Sequence, residues 1–223
     1  MQALKIYTEG QAVDKLEQFG LNDDNFIYAL SKAIYESKRS SPLHPRNDSM
    51  LRAWSETVAS FRESVIMNDS GWSYVLTDGL ELTINSTLGL SVVVSSGDKD
   101  TGLADGSPRT KNAKGNATKN IVNNNQTLEL FSSNEVTPIT DTVSPVDSTK
   151  TYVFLYFFDL DKQEVRCELS LPDGMSNYFS QNKIDSWAER IILPSVSFSS
   201  AVEPNKHKQE EFTEEFDIPV SRK

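Results

Sequence analysis

Arg109, Lys111, Lys114 and Lys119 fall between Gly106 and Asn120 with no acid among them, in a chain of 223 residues whose formal net charge is -10. Four cations so spaced are suited to anion contact, because lysine and arginine neutralise phosphate oxygens and give a salt-dependent grip. Gly97, Gly102, Gly106 and Gly115 punctuate the same stretch, but they are too widely spaced for G-x-x-x-x-G-K-S/T. The segment Lys114–Thr118, entering a helical pattern, can hold one phosphate or sulfate on its free N–H groups. No aromatic residue is interleaved between Gly106 and Asn120, so bases have no stacking platform within the arm itself.

Carboxylates are the second group worth testing. A metal-dependent nuclease needs an acid on one strand and a Glu-x-Lys on the next, to hold a divalent ion and orient water. Asp159, Asp161 and Glu168 flank a strand turn, but Glu168 is followed by Leu-Ser and no lysine. Asp98, Asp159, Arg166 and Glu168 therefore stand as candidate pocket residues, Arg166 in the role of an anion clamp. No catalytic residue and no metal ligand is assigned. His44 lies between Pro42 and Pro45, His207 lies among lysines near the end of the chain, and Cys167 is the single cysteine. Neither a zinc site nor a Ser–His–Asp or Cys–His arrangement is supported, and no cofactor is implied.

These side chains need a scaffold, and the hydrophobic pattern supplies one. Residues 1–66 read as a helical layer. Gly10–Phe19 forms a short helix, and Asn22 or Asp23 caps a second one running to about Ser37. Asn47 or Asp48 opens a third, whose Leu51, Trp54, Val58, Phe61 and Val65 step 3-4-3-4 along one buried seam. Residues 67–200 read as an antiparallel β-rich body carrying a polar insertion over 96–150. Trp72–Leu76, Leu80–Ile84 and Leu88–Val94 alternate as strands, the first pair joined by the hairpin signal Asp78–Gly79. The insertion is expected to be a flexible arm, with one or two helical turns over Ala117–Val122 that Asn123–Asn125 would end. Tyr152–Phe158 is apolar on both pleat faces and reads as the central strand. In Glu164–Leu171, apolar Val165, Cys167, Leu169 and Leu171 alternate with Glu164, Arg166, Glu168 and Ser170, one dry face and one wet or site-lining face. Pro172 is expected to end that strand, Lys183–Arg190 to form a helix, Ile191–Phe198 a last strand, and 201–223 an acidic tail. Trp54, Trp72 and Trp187 all fall on apolar faces and read as core.

The fold class is thus α+β, a helical N-terminal layer on an antiparallel sheet with a long basic loop inserted mid-sheet. An isoelectric point near 4.7 argues against general coating of nucleic acid. No signal peptide and no run of eighteen apolar residues is visible, so a cytoplasmic location is expected.

The pieces SGDKDTG (96–102), SPRTKNAKGNAT (107–118), YVFLYFFD (152–159), VRCELSLP (165–172), IDSWAERIILP (184–194) and DIPVSRK (217–223) resemble an uncharacterised bacterial family associated with mobile-element and antiviral-defence genes. That resemblance implies a setting and transfers no activity or site residue. The combined expectation is a non-enzymatic binding or accessory subunit of a bacterial, antiviral-type assembly. It would touch a protein partner, or nucleic acid weakly, through the basic 106–120 arm. The alternatives are a metal-dependent nuclease-like or phosphate-handling hydrolase with an atypical acidic site, and an acidic phage-type inhibitor.

Overall fold

The computed structural model describes residues 3–67, 71–132, 148–178 and 181–202. Its elements run β1 (Lys5–Tyr7), α1 (Glu9–Glu17), α2 (Asp23–Lys38), α3 (Asp48–Ile66), β2 (Ser73–Thr77), β3 (Leu80–Asn85), β4 (Leu90–Ser96), α4 (Asn116–Ser132), β5 (Lys150–Asp159), β6 (Glu164–Tyr178) and β7 (Gln181–Ser197). The strands form one sheet in the order β1-β7-β6-β5-β4-β3-β2, which sets β5 at its centre. The fold is α+β, and no helix among the described residues is long and apolar enough to cross a membrane.

Period-two patterning distributes the core. Tyr152, Phe154 and Tyr156 point to one face, where they join Leu90, Val92 and Val94 of β4 and Val165, Cys167, Leu169 and Leu171 of β6. Against them pack Leu16 of α1, Phe26, Leu30 and Ile34 of α2, and Val58, Phe61 and Val65 of α3. Phe26, Phe61 and Phe154 meet ring to ring at centroid distances of 4.9 to 5.6 Å, geometry that adds to plain area burial. The capping box of α2, in which Asn22 and Asn25 each accept from the other's backbone N–H, fixes where that helix starts. On the opposite face Val153 and Leu155 pack with Val122 of α4 and with Ile184 and Trp187 of β7.

Five expectations need correction. The sheet is mixed: β4 and β5 run parallel, as do β1 and β7, because the chain crosses over through α4 between β4 and β5 instead of turning back. The segment 183–190 is strand, lying within β7. Register irregularities between Leu171 and Met175 displace the pairing, so Ile184, Trp187 and Arg190 are buried at spacings of three, which imitates a helix. Pro172 does not end β6, which continues to Tyr178.

Helix α4 also runs through the three asparagines to Ser132. The physical reason is Asn125. Continuing the β5–β6 register from Val153↔Ser170 would set Thr151 opposite Pro172, which has no N–H to give. Asn125 fills that gap: it accepts from Thr151 N (2.9 Å) and donates to Thr151 O (2.9 Å) and Pro172 O (3.1 Å). Finally, the seam of α3 is not buried throughout, since Leu51 is 56% exposed and Trp54 only half-buried. The 201–223 tail lies outside the described residues beyond Val202.

Candidate anion-binding cleft

The arm between β4 and α4 is clamped, not flexible. Its backbone runs along the second face of the sheet: Asp98 N donates to Arg109 O at 3.0 Å, Lys111 N to Ser96 O at 2.9 Å, Thr110 N to Ile184 O at 3.0 Å and Lys114 N to Asn182 O at 2.8 Å. Trp187 Nε1 donates to Pro108 O at 2.8 Å. The strongest tie is fully buried. Arg190 meets Glu168 through Nη2 at 2.6 Å and Nε at 3.1 Å, with both side chains at zero exposure, and donates to Leu103 O and Gly106 O at 2.8 Å each. Glu168 also accepts from Gly102 N and from Ser170 Oγ. The polar side of β6 is therefore as dry as its apolar side, which corrects the expectation of a wet face there.

The glycines make sense here as packing residues. A Cβ at Gly97 would collide with the Thr101 and Leu155 side chains. Gly102 has φ +73°, and a Cβ on it would come within 3.0 Å of Cys167 N. These positions let the arm lie against β5 and β6, and their own N–H groups are taken, Gly97 N by Tyr156 O and Gly102 N by Glu168.

Each candidate carboxylate has an arginine. Asp98 lies 3.4 Å from Arg109, Asp159 3.4 Å from Arg166, and Glu168 pairs with Arg190. Arg166 also donates to Lys99 O at 2.7 Å and stacks its guanidinium on Phe157. Asp98, Asp159 and Glu168 thus do not share a metal, and among the described residues no group of three or more His, Cys, Asp or Glu side chains is placed to hold one. Cys167 is buried on the helix face with Sγ against Pro194 O, and burial pushes its thiol pKa well up, which keeps it protonated.

The arm's cations divide. Lys119 is exposed on the first turn of α4, and Arg109 stays beside Asp98. Lys111 and Lys114 instead turn toward α3, where two adjoining chambers open at the carboxyl ends of the parallel pair β4 and β5. The first, about 510 Å³, is lined by Arg46, Met50, Trp54, Ser95, Ser96, Lys111, Lys114 and Tyr156 among others, with no acid among the described residues of its wall. The second, about 320 Å³, shares Trp54, Val94, Ser95 and Lys114 with the first and continues past Val58, Val93, Thr118, Val153 and Ile184.

The second chamber has a topological cause. The β3–β4 ladder reaches only Leu82↔Val93, whereas β4 continues beside β5 to Ser96↔Tyr156. The two strands part beyond Val93, and the gap is lined from both sides of the sheet. Trp54 Nε1 donates to the released Val94 O at 3.3 Å, and Lys114 Nζ to Ser95 Oγ at 2.7 Å. Glu81, the one acid lining this chamber among the described residues, is tied to Arg62 at 2.9 Å.

Electrostatically the cleft favours an anion. Arg46, Lys111 and Lys114 have no carboxylate partner among the described residues. Burial lowers the Lys114 pKa from its ordinary 10.5 to about 8, so its ammonium is short of compensation. Burial also pushes the Tyr156 hydroxyl pKa upward, leaving it a neutral donor. Sequence reasoning had found Lys111 and Lys114 but not Arg46, Trp54, Ser95 or Tyr156. Arg46 lies in the proline-flanked link, Ser95 just past the expected strand Leu88–Val94, and Trp54 and Tyr156 carry core-like patterning, so no local signal marked them. Comparison with family models, with curated proteins and with solved structures yields no match for this chain.

Proposed function

We propose that this protein is a non-enzymatic binding subunit of a larger assembly, which engages a phosphate-bearing partner, nucleic acid above all, through the cleft between α3 and the basic arm. One observation carries this reading: Arg46, Lys111 and Lys114 gather around an acid-free chamber beside Trp54, on a chain of net charge -10. The indole supplies the aromatic surface that the arm itself lacks. The pairing of Asp98, Asp159 and Glu168 with arginines supports binding over acid-based chemistry. The bacterial, antiviral-type setting rests on the sequence resemblance alone.

Affinity for single-stranded oligonucleotide, measured by fluorescence anisotropy over a salt series, tests this reading. The double variant Arg46→Glu/Lys111→Glu changes two exposed side chains of the cleft and leaves the fold intact. Binding that weakens at least about tenfold and loses roughly one to two from its log–log salt slope supports the proposal. Unchanged affinity and slope refute it.

A further inference from the structure

The two chambers differ in chemistry, and the difference specifies a ligand. The first is a cluster of cations with hydroxyl and amide neighbours, suited to a compact dianion. The second has walls of Val58, Val93, Val153 and Ile184, suited to an apolar or planar body, and Trp54 and Lys114 stand at the junction. Both volumes lie within the usual range for small-ligand sites, about 300–1,000 Å³. Resting on the phosphate-binding reading of this cleft, we propose that it receives a terminal nucleotide: the phosphomonoester sits among Arg46, Lys111 and Lys114, and the base enters the second chamber past Trp54.

A terminal group fits better than an interior stretch of a strand for two reasons. A phosphomonoester carries close to two charges at neutral pH whereas an internal diester carries one, and three uncompensated cations match the former. The second chamber also occupies the gap between β3 and β4 and is walled by the sheet on both sides. A base can be inserted there, but a continuing chain would have to pass through the sheet. The chemistry is shared by a free nucleoside monophosphate and by the phosphorylated end of a strand, and the test must separate these sources.

The experiment is calorimetric titration of the full chain with adenosine 5′-monophosphate, adenosine, inorganic phosphate, and one oligonucleotide with and without a 5′-phosphate. Adenosine 5′-monophosphate is expected to bind about tenfold or more tightly than adenosine or phosphate, and Lys111→Ala to weaken it by about tenfold. It should also change tryptophan emission, and the change should vanish in Trp54→Phe. Competition by the phosphorylated oligonucleotide, and not by its unphosphorylated twin, assigns the site to strand ends; no competition by either assigns it to free nucleotide. Equal affinity for adenosine and its monophosphate overturns the proposal, as does an emission change that persists in Trp54→Phe. Binding of the unphosphorylated oligonucleotide without binding of the monophosphate overturns it while leaving the broader nucleic-acid reading standing. Silence from every ligand defeats both.

Discussion

Replacing Arg190 by methionine tests whether the basic arm is held by the buried ion pair. The change removes two contacts to Glu168, at 2.6 and 3.1 Å, and the donors to Leu103 O and Gly106 O. Glu168 is left fully buried with only Gly102 N and Ser170 Oγ for partners. Breaking one side of a buried pair in this way costs about 3–5 kcal/mol, most of it from the charge left behind. Against a total stability of about 5–15 kcal/mol, that loss is large, and in a chain of this size it lowers Tm by roughly 6–20 °C. Urea unfolding of the wild type, Arg190→Met, Glu168→Met and the double variant closes a thermodynamic cycle. The double variant should be more stable than Arg190→Met, because it buries no lone charge. Hydrogen exchange on Arg190→Met should show faster exchange at the amides of Gly106, Thr110 and Lys111. A loss under about 1 kcal/mol, or two single effects that simply add, refutes the assignment of the pair as the arm's anchor.

Further outcomes follow from the same contacts. Asn125→Ala leaves Thr151 N and O and Pro172 O buried without partners, so it should cost about 3 kcal/mol or more in urea unfolding, far beyond a surface asparagine. Gly102→Ala places a Cβ at positive φ and 3.0 Å from Cys167 N, which should lower Tm measurably through at least about 1–2 kcal/mol of backbone strain. Lys114 sets a pH dependence. Its pKa is lowered to about 8 by burial, so between pH 8 and about 10.5 the unfolded chain binds this proton more tightly than the folded one. The resulting penalty, up to about 3 kcal/mol, is complete below pH 8 and fades as pH rises toward 10.5. Lys114→Met should therefore be more stable than wild type at pH 7, with the difference shrinking by pH 10. Comparing the two chains at each pH cancels the other lysines and tyrosines.

The sequence made the central strand legible because Tyr152–Phe158 is apolar on both pleat faces, and only a strand covered twice needs that. It made α2 and α3 legible through their caps and apolar steps. It misled wherever a polar residue replaced a backbone partner. Asn125 looked like a helix stop, yet it completes the sheet opposite Pro172, a role visible only once β5 and β6 are side by side. Ile184, Trp187, Ala188 and Ile191 looked like one helical side, but irregular pairing spaces buried Ile184 and Trp187 by three on one face of the sheet while Ile191 packs on the other. Arg190, 84 and 87 residues from the loop carbonyls it binds, and Glu168, 66 from the loop N–H it accepts, looked like part of a helix and a wet or site-lining face. The cleft was half legible: Lys111 and Lys114 were marked by local charge, but Arg46, Trp54 and Tyr156 come from three separate elements and converge only through the fold.

The arginines and lysines in and around the arm occupy different surroundings. Arg109, Arg166 and Arg190 each face a carboxylate under or beside the arm, and the planar guanidinium suits that work because it satisfies several acceptors at once. Those pairs cancel negative charge close to the cleft. Lys111 and Lys114 are left on the side facing α3, where Arg46 joins them and no acid among the described residues lines the chamber. An overall charge of -10 does not preclude an attractive site for phosphate, because fields from distant surface acids are screened over about 8–10 Å at physiological salt, whereas half-buried Lys114 is screened less and exposed Arg46 and Lys111 act on a phosphate at short range. On the proposed reading, the acidic body discourages indiscriminate contact with nucleic acid, and the cleft admits what carries its charge at one point. Raising the salt should weaken oligonucleotide binding, which can add exposed Lys119 to the cleft's contacts, more steeply than binding of a single nucleotide within the cleft.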